Sequence, residues 1–212
     1  TGVRAFQAYH TVKELTTQGQ KTKYVLSQQD VVAGKDELVK TQKLLKKLDS
    51  QVNSMFYLKA VPFVSWYYSD AQHGINAAEA GVNAGITTTE ALIPYADVLG
   101  LKGGAGFTGG SAEDRIRLTV KSLGKVVPKI DDIEVEVKKP KEEVDHVNPG
   151  RYPKIGPLTK IHNQIAATRN VIEEGVLAVE QGKPLIKVLP ELMGDTKSKK
   201  YLFGILFLIV VS

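Results

Sequence analysis

The sequence predicts a mainly α protein: an elongated antiparallel helical bundle of long helices with Gly-rich and Pro-rich connections. A short strand-like apolar segment follows at the C-terminus. Three observations predict this. Apolar residues step by 3 and 4 over two long stretches, which marks a helix face that packs on another helix. Glycine and proline gather at a few places rather than throughout. Strand-like alternation with period two is found at residues 133–137, and the apolar run near the end is apolar on both faces.

Residues 3–18 form a first helix with Phe6, Tyr9 and Val12 near one side. Ser27-Gln28-Gln29-Asp30 offers an N-cap with an acid three residues on, an acidic variant of the capping box. A long helix follows. Its residues Leu38, Thr41, Leu45, Leu48, Val52 and Met55 form a seam, while Lys43, Lys46 and Lys47 keep the other face in water. Residues 56–68 hold the main aromatic cluster and the only tryptophan. Pro62 interrupts or kinks the helix there. Exposed, the cluster is a binding patch, with Trp66, Tyr67 and Tyr68 as partner contacts. Its place at a bend between helices favours a buried corner.

Residues 70–99 are helical again. Ala77, Ala78, Gly81, Ala84 and Gly85 let a neighbour approach toward the short end of the ~8–10 Å range of helix separations. Residues 100–110 form the clearest loop, with six glycines in eleven positions. Ser111 and Asp114 cap the next helix, which carries Ile116, Val120, Leu123, Val127 and Ile130, and which Pro128 kinks. Residues 133–137 alternate as a strand would, but no pairing partner lies nearby, so helix is preferred. Residues 138–157, with four prolines, read as a second irregular connection. Leu158, Ile161, Ile165, Thr168, Ile172, Gly175 and Val179 then make a second seam, closed by Pro184 and Pro190. Antiparallel pairing of the two seams is the simplest way to bury both. Residues 1–194 are the bundle. Residues 195–212 are a linker and apolar segment, the start of a truncated α/β domain. That last run, apolar on both faces, needs cover on each side.

The chain is basic, with net charge +5 and pI near 9.2, but the charge is spread. Residues 1–60 carry ten Lys and Arg against five Asp and Glu, and residues 111–155 carry ten against nine. A dedicated nucleic-acid surface clusters its cations among aromatics, so no nucleic-acid partner is expected. There is no cysteine, which excludes disulfides and thiol chemistry. The chain opens on Thr1, already helix-like, and its start reads as trimmed. The apolar run 201–211 is shorter than the ~20 residues of a spanning helix.

No catalytic constellation is visible. Gly104-Ala-Gly106-Phe-Thr-Gly109 fits G-x-G-x-x-G, but a helix precedes it where the dinucleotide fingerprint needs a strand. No two of His10, His73, His146 and His162 share the i, i+4 spacing of a helical zinc site. Asp70 and His73 lie three apart, where a structural hydrogen bond outweighs an acid–base pair. Asp131-Asp132 and Glu142-Glu143 are adjacent and point apart. The expectation is no cofactor and no metal.

Several landmarks recur in order: Ser27-Gln28-x-Asp30; Val61-Pro62, then Tyr67-Tyr68-x-Asp70-x-x-His73; Pro94-Tyr95-Ala96-Asp97; Ala112-Glu-Asp-Arg-Ile116; Val127-Pro128; Asn148-Pro-x-Arg-Tyr-Pro153; Lys183-Pro184-Leu185; and Leu189-Pro190-x-Leu192-x-Gly194 before Lys200-Tyr201-Leu202. In these the chain resembles the helical N-terminal part of the bacterial family called domain of unknown function number four thousand and twelve. The resemblance runs from about Ser27 to Leu202. It implies a membrane-anchored protein facing outward, with a transmembrane helix before this region and an α/β domain similar to LytR-CpsA-Psr envelope proteins after it. The family's next motif is replaced here by residues 203–212, so no catalytic residue is carried over.

Together these readings lead to an expectation: a non-enzymatic extracytoplasmic helical module of the bacterial cell envelope, acting as a stalk, assembly surface or partner-binding element. Its partners would be another protein or a second copy, near a membrane reached through an N-terminal anchor. The rival reading is the helical portion of an envelope glycopolymer transferase. There Arg115, Arg117, Lys121 and Lys125 are the first candidates for contacting phosphate on an anionic polymer.

Overall fold

The computed structural model describes residues 2–104 and 109–192, and every described segment of regular structure is helical. Five long helices dominate: α1 (Gly2–Ser27), α2 (Val31–Asn53), α3 (Val64–Leu92), α5 (Ala112–Asp145) and α6 (Pro157–Leu192), with a four-residue α4 (Ala96–Leu99) between the third and fourth. Short 3₁₀ turns sit at Phe56–Ala60, Ile93–Tyr95 and Pro149–Arg151. The expected mainly α fold with long antiparallel helices is present. The strand-like run 202–211 lies outside the described residues.

The helices pack in chain order. α1 lies on α2, α2 on α3, α3 on α5, and α5 on α6. The two seams therefore do not pair with each other, contrary to the sequence expectation. The α2 seam is buried between α1 and α3, where Leu38, Leu45, Leu48 and Val52 are all covered. The α6 seam packs against α5 on one flank only. A 3–4 seam shows which face is apolar, and short connections decide which helix meets it.

The main core sits at the corner of α1, α2 and α3. Ala8, Leu48, Val52, Met55, Tyr68 and Ile75 close on one another there, with Leu15 and Leu58 against them. Gly85 is required on the other side of α2. A Cβ at that position would lie 3.2 Å from Leu38 Cδ1, so the small residue permits the close approach expected of α3. The α1–α2 contact is polar by comparison. Glu37, 6% exposed, takes Lys40 at 2.7 Å, Lys21 at 3.2 Å and the Gln18 side-chain amide at 2.7 Å. Thr22 and Thr41 share a hydrogen bond of 3.0 Å beside it. The Lys40 and Gln18 bonds hold the Glu37 carboxyl down at about 2.

Helix ends follow their capping chemistry, with two revisions. α1 runs through Ser27, and the cap of α2 is Asp30, whose carboxylate accepts the backbone N–H of Val32 and Ala33. The Ser27 hydroxyl instead donates to the Tyr24 carbonyl. Ser111 and Asp114 form the reciprocal capping box at the start of α5. That helix then continues through Pro128 and Pro140 to Asp145, so the irregular connection starts only at His146. Ion pairs Glu134–Lys138, Glu136–Lys139 and Lys141–Asp145 bracket Pro140 and support the helix across it.

The turn between α1 and α2 is tied to the glycine loop. Val31 N–H donates to Leu101 O at 3.1 Å, and Asp30 bridges Lys102. Gly103 has φ +63, and a Cβ there would stand 3.1 Å from Asp30 Oδ2. At the far end, α2 stops at Asn53 and Pro62 breaks the path into α3, as expected. Phe63 then adopts φ +64 with ψ −37, closing a turn in which Val64 N–H donates to Pro62 O at 2.8 Å, and a positive φ costs a bulky residue of order 1–3 kcal/mol.

Candidate functional site

The sequence of α3 places Ala71, Gly74, Ala78, Gly81, Gly85 and Thr88 on one stripe, stepping by 3 and 4. Pro140 and Val144 of α5 lie below this stripe. Ile161, Ile165, Thr168 and Ile172 of α6 stand opposite. These three faces enclose an open groove of about 960 Å³, with Leu26 and Leu38 at its rim. Its walls are almost wholly apolar or small. The second seam is thus an uncovered wall, and the small-residue stripe serves two neighbours: α2 through Gly85 and the groove through Gly81. A contiguous apolar hollow of this size is unusual on a lone soluble chain and marks a place of interaction.

One end of the groove is closed by a polar junction. Asp70 on α3 is 3% exposed, and its Oδ1 accepts Arg151 Nη1 at 2.6 Å and the Asn148 backbone N–H at 3.4 Å. Its Oδ2 has no hydrogen-bond partner. Arg151 also donates to the Trp66 carbonyl, and its guanidinium lies 5.9 Å from the Trp66 ring centroid. Tyr152 packs edge-on to Tyr67, and burial, then the nearby Asp70 charge, pushes its phenol up to about 12. The turn that presents Arg151 is fixed by the Asn148 side chain, which accepts Gly150 N–H. From α6, the His162 Nδ1–H donates to the carbonyls of Pro149 and Tyr152, and Arg169 donates to the Val144 and Asp145 carbonyls at the end of α5 and to the Val147 carbonyl just beyond it.

Asp70 and His73 thus take different partners. His73 Nδ1 meets Glu143 at 2.8 Å and stacks on His146 at 4.8 Å with an interplanar angle of 14°. Near-parallel rings direct their in-plane nitrogens along parallel lines, so they do not converge on one ion. Among the described residues no three His, Asp or Glu side chains form a metal-holding group.

The aromatic candidates divide. Tyr68 is buried in the core, but Trp66 is 50% exposed and Tyr67 42%. Phe56 and Phe63 are 68% and 69% exposed. The preferred buried corner therefore fails for all but Tyr68. Pro62 and the positive φ of Phe63 turn the segment outward before α3 begins. The basic candidates do not join the groove. Arg115 donates to the Val98 carbonyl, and Arg117 pairs with Asp114 at 2.8 Å. Lys121 and Lys125 lie exposed on the same α5 face as Arg117, and Lys129 continues the line. Of the glycine motif, Gly106 lies outside the described residues, and Gly104 follows α4 rather than a strand.

Sequence reasoning missed the ion pair of Asp70 and Arg151, 81 positions apart. The signal available was the turn sequence Asn148-Pro-Gly-Arg, which presents a cation at a fixed place. No described helix is long and apolar enough to cross a membrane. No protein-family model, curated protein or solved structure matches this chain.

Proposed function

We propose that this chain is a non-enzymatic assembly module of an extracytoplasmic cell-envelope protein, and that its groove receives the apolar run 202–211 of a second copy. The observation that carries the reading is the groove itself, an apolar hollow of about 960 Å³ between α3 and α6. The run 202–211 is the most apolar segment of the chain and lies outside the described residues. About 26 Å of α6 separates Gly175, at the groove end, from Leu192. Residues 193–200 span at most about 26–29 Å, so the chain's own segment reaches its groove only with the linker fully stretched, a restraint a second copy does not carry. The envelope address is supported by the ordered motif resemblance from Ser27 to Leu202.

Light scattering on the intact chain and on one lacking residues 203–212 tests the assembly. The intact chain is expected to be a dimer, and both the truncation and Gly81→Leu, which fills the open groove, should give monomers. A monomeric intact chain overturns the second-copy reading, and a truncation that then lowers the melting point assigns the groove to its own segment. Protease treatment of intact host cells tests the address, which fails if the module is protected.

One observation favours a second reading, the helical part of a glycopolymer transferase. Arg117, Lys121, Lys125 and Lys129 repeat every four residues along an exposed face of α5, a linear array suited to a polyanion. Calorimetry with polyphosphate, on the wild type and on Lys121→Glu/Lys125→Glu, tests it. Equal binding by both removes the reading.

A further inference from the structure

Three segments distant in sequence meet at one end of the helix stack. The start of α1 reaches the end of α2 through Arg4 Nη1, which donates to the Ser54 carbonyl at 2.5 Å. The start of α3 meets the α5–α6 connection through Arg151 and Trp66, and through Tyr67, whose hydroxyl donates to the Arg151 carbonyl at 3.2 Å. Residues 2–13, 50–69 and 146–172 lie toward this end, and none of them is Asp or Glu, although Asp49, Asp70 and Asp145 border them. They supply Arg4, Lys13, Lys59, Lys154 and Lys160, all exposed, besides Arg169, which donates to the Val144 and Val147 carbonyls, and Arg151, which Asp70 neutralises. At the opposite end the carboxylates are paired with cations, Glu90 with Lys35, Asp97 with Lys102 and Asp114 with Arg117.

The same end is where the exposed rings lie. Phe6, Phe56, Phe63, Trp66 and Tyr67 are all exposed, with the aliphatic side chains of Val61 and Ile155 among the same segments. Folding alone explains none of this, since the core of this corner is complete with Met55, Leu58 and Tyr68. The backbone even adopts a positive φ at Phe63, whose ring is outside the core.

From this juxtaposition we propose that the end carrying Phe56, Phe63 and Trp66 is a bilayer-docking surface, which beds its rings at the headgroup level of an anionic lipid membrane. Aromatic side chains with one polar edge favour the water–lipid boundary, and flanking cations favour anionic headgroups. The alternatives fit less well. Nucleobases need open ring faces on which to stack. Here the rings turn edge to face on one another, Phe63 to Trp66 at 5.4 Å and 85°, and Phe56 to Tyr57 at 6.4 Å and 71°. Scattered aliphatic side chains suit acyl chains and give a base nothing to pair with. The proposal is independent of the groove, which opens along α3 and α6 and not at their shared end.

Trp66 is the only tryptophan, so its emission reports on this surface alone. The intact chain is mixed with vesicles of phosphatidylcholine and with vesicles of equal phosphatidylcholine and phosphatidylglycerol. The mixed vesicles are expected to bind at least about tenfold tighter, to shift Trp66 emission to shorter wavelength, and to allow quenching by brominated acyl chains. Phe56→Ser/Phe63→Ser, both outside the core, should abolish the shift while leaving the melting point unchanged. Lys59→Glu/Lys154→Glu should remove the preference for anionic lipid. The proposal is overturned if Trp66 stays as open to aqueous iodide with vesicles as without them, or if the Phe56/Phe63 variant binds like the wild type. Binding to soluble polyglutamate that equals binding to vesicles also overturns it, since the surface would then read charge and not lipid.

Discussion

Replacing Arg151 with alanine strips the counter-charge from a carboxylate that is 3% exposed. Asp70 Oδ1 would keep only the long 3.4 Å contact from Asn148 N–H, and Oδ2 already has no partner. Breaking a buried pair by removing one member costs about 3–5 kcal/mol. The Arg151 side chain is 29% exposed, so water can reach into the vacated space, and the expected cost falls to about 2–3 kcal/mol. For a chain of this size that lowers the melting point by roughly 5–10 °C. Asp70→Asn removes the charge and should cost less. The double variant should be no worse than Arg151→Ala alone, with a coupling of about 1–2 kcal/mol in the cycle. The same Asp70→Asn change lowers the Tyr152 pKa from about 12 toward its ordinary value of 10.0, although burial still holds it up. Thermal melting by circular dichroism reads the first effect, and ultraviolet titration of tyrosine reads the second. An Arg151→Ala melting point within about 1 °C of the wild type would refute the reasoning, because Asp70 would then not depend on its counter-ion.

Leu48→Asp should cost at least about 3 kcal/mol, because it places an unpaired charge in the corner core, whereas Ile165→Asp, on the groove wall, should leave the melting point nearly unchanged and abolish dimers in light scattering. The Glu37 carboxyl sits at about 2 against 4.5 unfolded, so its contribution is complete above about 4.5 and lost as pH falls toward 2. Urea midpoints should fall across that window in the wild type and fall less steeply in Glu37→Gln. Gly85→Val should cost about 1–3 kcal/mol through crowding of Leu38, and Leu38→Ala in the same chain should recover part of it in a thermal melt.

The helical class and most helix ends were legible because they depend on local chemistry. The capping box at Ser111 and the break at Pro62 need no knowledge of the rest of the chain. Pro140 looks like a boundary in the sequence but is not one, because flanking ion pairs hold α5 together across it. Seam pairing was not legible: Leu48 and Ile165 carry the same periodic signal, yet one is buried and the other lines an open groove. The aromatic cluster failed for a related reason. Composition cannot tell a ring that closes a corner from one turned outward, and the deciding fact was the positive φ at Phe63. The Asp70–Arg151 pair joins segments that only the antiparallel run of α3 and α5 brings together.

Packing in chain order gives the molecule the logic of a ribbon rather than of a closed ball. Each long helix leans chiefly on the one before and the one after, so stability accrues nearest neighbour by nearest neighbour, as in repeat arrays. A ribbon also has two free margins of different character. At one, α1 is held by Ala8 and Leu15 in the corner core and, toward its end, by hydrogen bonds from Gln18 and Thr22. At the other, α6 offers an oily wall that water cannot satisfy.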